Sequence, residues 1–204
     1  MGTGQARRGN TRRRIQDAAL ELFSAHGYEK TSLREIAERL DVTKAALYYH
    51  FKTKEDIVIG LFEDAAQPID ELLAWGREQP RTTETRTELV RRYAEALRNA
   101  ESLFRFVHEN QATVRDLSIG EIFKRRVREL FDLLKDPDAE LVDQMRCLTA
   151  VHALHAGQFT VQHVEGDPEE KREAILRVAT ELVTAANPPH RRPARPDSAQ
   201  TESP

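Results

Sequence analysis

Apolar residues in this chain recur three or four positions apart, the period of a helix, and nowhere alternate one by one over the length of a strand. The pattern predicts about nine helices. The first starts at a cap on Thr11, buries Ile15, Ala18, Ala19, Leu22 and Phe23, and stops at Gly27. Leu33, Ile36, Ala37 and Leu40 stripe a short second helix, which Ser32 opens with Glu35 three residues on as a capping box. Asp41 falls where the chain must turn, and Val42 plugs that turn against the core. Thr43 caps a third helix, Lys44 to Phe51, with Leu47 and Phe51 facing inward. Thr53 and Asp56 open a long fourth helix that reaches about Trp75 and carries Ile57, Leu61, Phe62, Ile69, Leu72 and Leu73. Pro68 interrupts that pattern, so a kink or split is expected there, and with it a candidate hinge.

Beyond a polar connector over 79–85, helices are predicted at about 85–99, 102–115 and 118–135. Their apolar positions include Leu89, Val90, Tyr93 and Leu97, then Leu103, Phe104 and Phe106, then Phe123, Val127, Leu130 and Leu134. Asp136-Pro137-Asp138 separates the third of these from the longest predicted helix, about 139–164. Gly166-Asp167-Pro168 caps a last helix ending near Ala186. Residues 1–10, rich in Gly and Arg, read as a mobile arm, and residues 188–204, with five prolines, as a disordered tail.

Composition narrows the function classes. A chain of 204 residues with 39% hydrophobic and 32% charged residues suits a soluble helical protein with a sizeable core. It has no apolar run long enough to span a membrane and no signal-peptide core, so a cytoplasmic location without membrane attachment is expected. Cys147 is the one cysteine and reads as a small core residue. No nucleophile elbow, phosphate-binding loop, HExxH zinc motif or dinucleotide fingerprint occurs, so neither catalysis nor a cofactor is expected. The net charge of −3 conceals an uneven distribution: residues 1–54 carry 11 Lys/Arg against 6 Asp/Glu, while residues 55–204 carry 20 against 28. A basic first quarter on an acidic body orients the molecule in the field of a polyanion.

The two short helices around Asp41 carry the sharpest signal. A helix as short as 44–51 cannot hold itself together in water. Braced from behind, it can present a rigid row of donors to a groove, as a recognition helix does. The run I-A-x-x-L-x-V-T-x-x-x-L-Y-Y-H-F-x-x-K, from Ile36 to Lys54, resembles the N-terminal domain of the tetracycline-repressor (TetR) family, and the likeness extends over about residues 11–60. Asp41 stands where glycine is common in that family, and Ala45 where many members have glycine or proline. The resemblance implies an all-α protein: a helix-turn-helix DNA-binding domain over 11–53 and a helical effector-binding and dimerisation domain over 54–187.

It also implies that Thr43, Lys44, Ala45, Tyr48, Tyr49 and His50 meet the major groove or its walls, with Arg34 on the supporting helix and Ser32 and Lys54 at phosphates. The chemistry agrees: Arg34 can fork onto guanine O6 and N7, Lys44 reaches the same acceptors, and Ala45 admits close approach. Arg12 and Arg13 carry the wrong sign for a helix start, a local cost that makes sense if a phosphate approaches there. The expected partners are a double-stranded operator, a small apolar or aromatic effector and a second copy of the chain. The expected activity is repression relieved by that effector; activation, or non-specific architectural binding, stands as the alternative.

Leu141, Met145, Leu148, His152, His155, Phe159 and His163 read as one seam on the longest helix, whose other side carries Ala150, Leu154 and Gly157. A helix apolar on two sides sits mid-core or against a second subunit, so a homodimer through the last two helices, 139–164 and 168–186, is expected. The three histidines of the seam could line the dimer face or a ligand pocket. Metal is not expected, because no carboxylate on that face completes a set. Trp75, Phe104, His108, Phe123, His152, His155 and Phe159 are the candidate effector contacts, with Arg105, Gln111 and Gln158 as further polar anchors.

Overall fold

The computed structural model describes residues 3–110, 119–157 and 163–188. Nine α-helices occupy these described residues and no strand is present among them: α1 (Thr3–His26), α2 (Leu33–Arg39), α3 (Lys44–His50), α4 (Lys54–Glu78), α5 (Thr83–Asn99), α6 (Glu101–Glu109), α7 (Ile119–Leu134), α8 (Leu141–Ala156) and α9 (Pro168–Ala186). Among the described residues no helix is long and apolar enough to cross a membrane.

Helix α1 begins eight residues before Thr11 and so runs through the stretch read as an arm. Gln5, Ala6, Arg7 and Arg8 are good helix formers, set against a cost of about 1 kcal/mol at each glycine. Its predicted stripe holds: Ile15, Ala18, Ala19, Leu22 and Phe23 are buried. Gly27 takes φ +85, which glycine adopts without strain, and its amide closes on the Phe23 carbonyl at 3.0 Å. At α2 only half of the predicted capping box forms. Ser32 accepts from the Glu35 amide, but the Glu35 carboxylate reaches His26 Nδ1 at 2.7 Å instead of turning back. The turn that follows is a Schellman motif with Asp41 in the left-handed position, φ +53. The Asp41 amide donates to the Glu38 carbonyl and the Val42 amide to the Ala37 carbonyl. The Thr53–Asp56 box at the head of α4 is complete in both directions, as is Asp167–Glu170 at the head of α9, with Pro168 in the first turn.

Two hydrophobic cores result. The first joins α1, α2, α3 and the start of α4 through Ile15, Phe23, Ile36, Leu47, Phe51 and Ile57. The second joins the end of α4 to α5, α7, α8 and α9 through Leu73, Leu89, Tyr93, Leu130, Val151 and Val183. Helix α4 serves both, and Pro68 stands at the changeover, between Ala65 packed on the first core and Ile69 buried in the second. The expected split does not occur, for α4 is assigned as one helix through Pro68. Helix α6 also serves both. Its Leu103 and Phe106 are buried in the first core while Phe104 packs on the second. Phe106 stacks on Phe23 at a centroid distance of 5.5 Å and lies 6.0 Å from Tyr28.

Close approach and ion pairs fix α4 to the body. A Cβ on Gly76 would fall 2.9 Å from Leu89 and 3.0 Å from Leu133, so glycine lets α5 and α7 press against α4. Arg126 of α7, nearly buried, holds both oxygens of Asp70 on α4 at 2.8 and 2.6 Å, a bidentate pair. Arg77 and Glu129 make a second α4–α7 ion pair. Cys147 is a buried core residue beside Asn187, as read from sequence, and burial pushes its thiol pKa up.

Because Phe106 fills the aromatic corner of Phe23 and Tyr28, Phe106→Ala is expected to destabilise the protein by about 3–5 kcal/mol. Urea unfolding at fixed protein concentration measures this; a loss under 1 kcal/mol would show that α6 only lies against the first core.

Candidate functional site

The first candidate site is the outer face of α2 and α3. Leu47 and Phe51, 0% and 2% exposed, seat α3 on the core, whereas Thr43, Lys44, Ala45, Tyr48 and Tyr49 are all exposed. The Thr43 hydroxyl accepts from the Ala46 amide at 3.2 Å, so the residue caps the helix while standing at its exposed end. Tyr49 and His50 meet edge to face, 5.3 Å between centroids. A concavity of about 520 Å³ beside α3 is lined by Ser32, Arg34, Lys44, Tyr48 and Lys54, which brings together five of the nine residues predicted to meet DNA. Thr31, Thr53 and Glu55 line it too, and the motif alone gave no signal for them.

Several of these side chains already have partners. Arg34 Nε donates to Glu38 Oε1 at 2.7 Å, and the carboxylate pushes the guanidinium pKa up. Both groups are well exposed, so the pair is cheap to exchange for another anion. Lys54 Nζ donates to the Tyr28 carbonyl at 2.7 Å and lies 4.3 Å from that ring's centroid. Tyr28 donates its hydroxyl to Glu55 at 2.9 Å; burial, then this bond, push the tyrosine pKa up. Backbone hydrogen bonding at the start of α4 holds the Glu55 carboxyl below its usual range.

The two arginines of α1 separate. Arg12 lays its guanidinium 4.5 Å over the Phe51 ring and against Gly60, while Arg13 is exposed. A stacked Arg12 braces the underside of α3 before it faces any anion. Next to it Gln16 donates to Asp64 at 2.7 Å, tying α1 to α4.

The second candidate site is in the helical body. Phe104, Phe123 and His155 converge there, with Phe104 and Phe123 edge to face at 5.6 Å and Phe123 5.3 Å from the His155 ring. Tyr93 completes the group: its hydroxyl and His155 Nε2 share a hydrogen bond of 2.7 Å. In sequence Tyr93 read only as a core position of its helix. The pairing of α5 with α8 that gives it a polar partner leaves no mark in a single chain.

Two other predicted effector residues, Trp75 and His152, do not join this group. Trp75 packs on the body core beneath the Arg92 guanidinium, 4.2 Å from its ring. His152 is exposed and closes onto the Leu148 carbonyl of its own helix at 2.8 Å. The seam that paired it with His155 therefore divides, because each step of three residues falls 60° short of a full turn and carries position 155 to the flank beside buried Val151. Helix α8 ends at Ala156, well before Val164, and His163 stands exposed beyond it. Phe159, Gln111, Gln158 and the side chain of His108 lie outside the described residues.

Burial, and then the charge of His152, pull the His155 pKa down to about 4. The folded protein thus keeps this imidazole neutral where an unfolded chain would protonate it.

Comparison with known proteins bears on the first site. The family model "Bacterial regulatory proteins, tetR family" matches residues 15–61. The HTH-type transcriptional regulator AcrR of Shigella flexneri is 47% identical over 62 residues, 30% of this chain and 29% of that protein. The A-factor receptor protein of Streptomyces griseus is 39% identical over 83 residues, 36% of this chain and 30% of that protein. The chain thus spans about 30% of the length of the curated relatives it matches. In fold the likeness is wider. A transcriptional regulator (TerR/AcrR family) from Aquifex aeolicus superposes with a TM-score of 0.63 at 23% identity, covering 82% of this chain and 96% of that one.

The lowered His155 pKa has a sign that can be worked out. Its contribution to stability is fully present above pH 6.5 and is lost as pH falls towards 4, bounded by about 3 kcal/mol. Between pH 7 and 4.5 the wild type should lose more stability than His155→Gln in urea titrations; parallel losses would mean that the imidazole is protonated in place.

Proposed function

This chain belongs to the tetR family of bacterial regulatory proteins, not to an enzyme family, and we propose that it is a homodimeric repressor released from a palindromic operator by a small-molecule effector. One observation carries the DNA-binding half of this reading. The exposed side chains of α3 stand on two fully buried anchors, Leu47 and Phe51, so that Lys44, Ala45, Tyr48 and Tyr49 form a rigid outward row. A helix held this way can enter the major groove while Ser32, Lys54 and the α2 start meet phosphates. Arg34 exchanges the Glu38 carboxylate for a guanine edge or a phosphate.

Dimerisation is supported by an apolar strip on the outside of the body. Leu141, Val142 and Met145 on α8 and Val178 on α9 are between 45% and 72% exposed. Large side chains this open, on two helices that pack on each other, are the material of a subunit interface. His152 and Thr149 lie on the same outer side of α8. In a symmetric dimer two recognition helices would address half-sites about 34–36 Å apart.

For the effector, the group of Phe104, Phe123, Tyr93 and His155 offers aromatic walls and a neutral hydrogen-bonding pair. Helix α6 carries Phe104 on one core and Phe106 on the other, so a molecule that displaces Phe104 would pull on the head beside Phe23. The effector reduces DNA affinity only by as much as it prefers the displaced arrangement.

Selection of genomic fragments with the purified protein tests the reading. A single near-palindromic motif is expected, together with a dimer in sedimentation at micromolar concentration. On that motif Lys44→Ala and Tyr48→Ala should each weaken binding about tenfold or more while helix content and dimerisation stay unchanged. Binding without fragment preference would leave only counterion release and sink the proposal.

A further inference from the structure

A cavity of about 320 Å³ opens between α5, α8 and the first turns of α9, and neither Tyr93 nor His155 lines it. Its floor is apolar, built by Ala94 of α5, Leu154 of α8, and Ile175 and Leu176 of α9. Its rim is charged, and the charges are arranged. Arg172 Nη1 donates to Glu169 Oε2 at 2.9 Å, and Arg98 Nη1 lies 3.9 Å from Glu169 Oε1. The other arm of Arg172 donates to Glu101 of α6 at 3.2 Å, which steadies its guanidinium. Two guanidiniums from different helices therefore hold one carboxylate between them at the mouth of an apolar pocket, and that carboxylate comes from the chain itself.

We propose that this cavity binds a small amphipathic carboxylate, whose apolar body lies on Ala94, Leu154, Ile175 and Leu176 and whose carboxylate takes the place of Glu169 between Arg98 and Arg172. The exchange is favourable for physical reasons. Glu169 and Arg98 are well open to solvent and Arg172 partly so, and their ion pairs contribute little and are given up at small cost. A ligand brings the same charge and adds buried apolar surface, which Glu169 does not. The volume lies within the range of small-molecule sites. The remaining rim charges set the ligand's charge. Arg91 is already held by both oxygens of Glu88 at 2.8 Å, and Glu95 and Glu173 add negative charge, so one anionic group is accepted and a polyanion is repelled.

The pocket also leaves the outer strip free. Glu169, Arg172, Glu173 and Leu176 follow one another on one side of α9, while Ala174, Val178 and Ala185 follow one another on a different side. Ligand and second subunit can thus occupy α9 together, and the proposal does not depend on DNA recognition.

Calorimetric titration of the full chain with octanoate, against octanamide as the uncharged equivalent, tests it. One saturable site is expected, with octanoate bound about tenfold or more tightly than the amide. Arg172→Gln should weaken octanoate about tenfold, and Ala94→Phe, which fills the floor, should abolish binding. Glu169→Gln removes the internal competitor and should tighten octanoate severalfold, a gain that misfolding cannot mimic. Absence of saturable binding, equal affinity for acid and amide, or indifference to both Arg172→Gln and Glu169→Gln overturns the proposal.

Discussion

Two hydrophobic cores divide this chain, and among the described residues α4 and α6 are the helices that enter both. They enter the two cores in different ways. Helix α4 is one uninterrupted helix, pinned to α7 by Asp70–Arg126 and pressed on α5 and α7 at Gly76. Helix α6 has nine residues and sends Phe104 one way and Phe106 the other. Packed interiors do not deform smoothly, so a displacement carried along either helix would pass as a change between discrete arrangements.

Most of the first core was legible in the sequence because its elements are short, amphipathic and locally capped. Ile36, Ala37, Leu47 and Phe51 fall on helical spacing with Ser32, Thr43 and Thr53 at the boundaries, so period and caps agree. The places where the reading slipped have physical causes. Helix α1 extends through two glycines because a helix already nucleated further along propagates at low cost. The Glu35 carboxylate left its cap for His26, a partner nine residues away that no local rule names. On α8 the histidine seam divided because the spacing of three and four, followed over several turns, crosses from the outer strip to the flank of the core. Pro68, where a kink or split was expected, leaves α4 one helix without a split.

The candidate sites were legible to different degrees for a related reason. The residues of the exposed α3 row are close together in sequence, so a motif captures them. The Tyr93–His155 pair and the Arg98–Glu169 pair join residues 62 and 71 positions apart, on separate helices. Tertiary packing alone makes such sites, and charged residues in them look like ordinary solvated faces until the helices are assembled. The state of the head before it meets DNA was equally hidden. Arg34 and Lys54 are already engaged, by Glu38 and by the carbonyl of Tyr28, partners that the motif does not name.

Phe106 has a consequence for modularity. Although the recognition segment looks like a self-contained cassette in sequence, its interior is closed by a side chain supplied from more than fifty residues downstream. A fragment cut after the early turns of α4 would leave Phe23 and Tyr28 facing water, and a chimera that swaps heads between regulators would inherit a mismatched plug. A head carried to another body keeps this packing only if α6 travels with it.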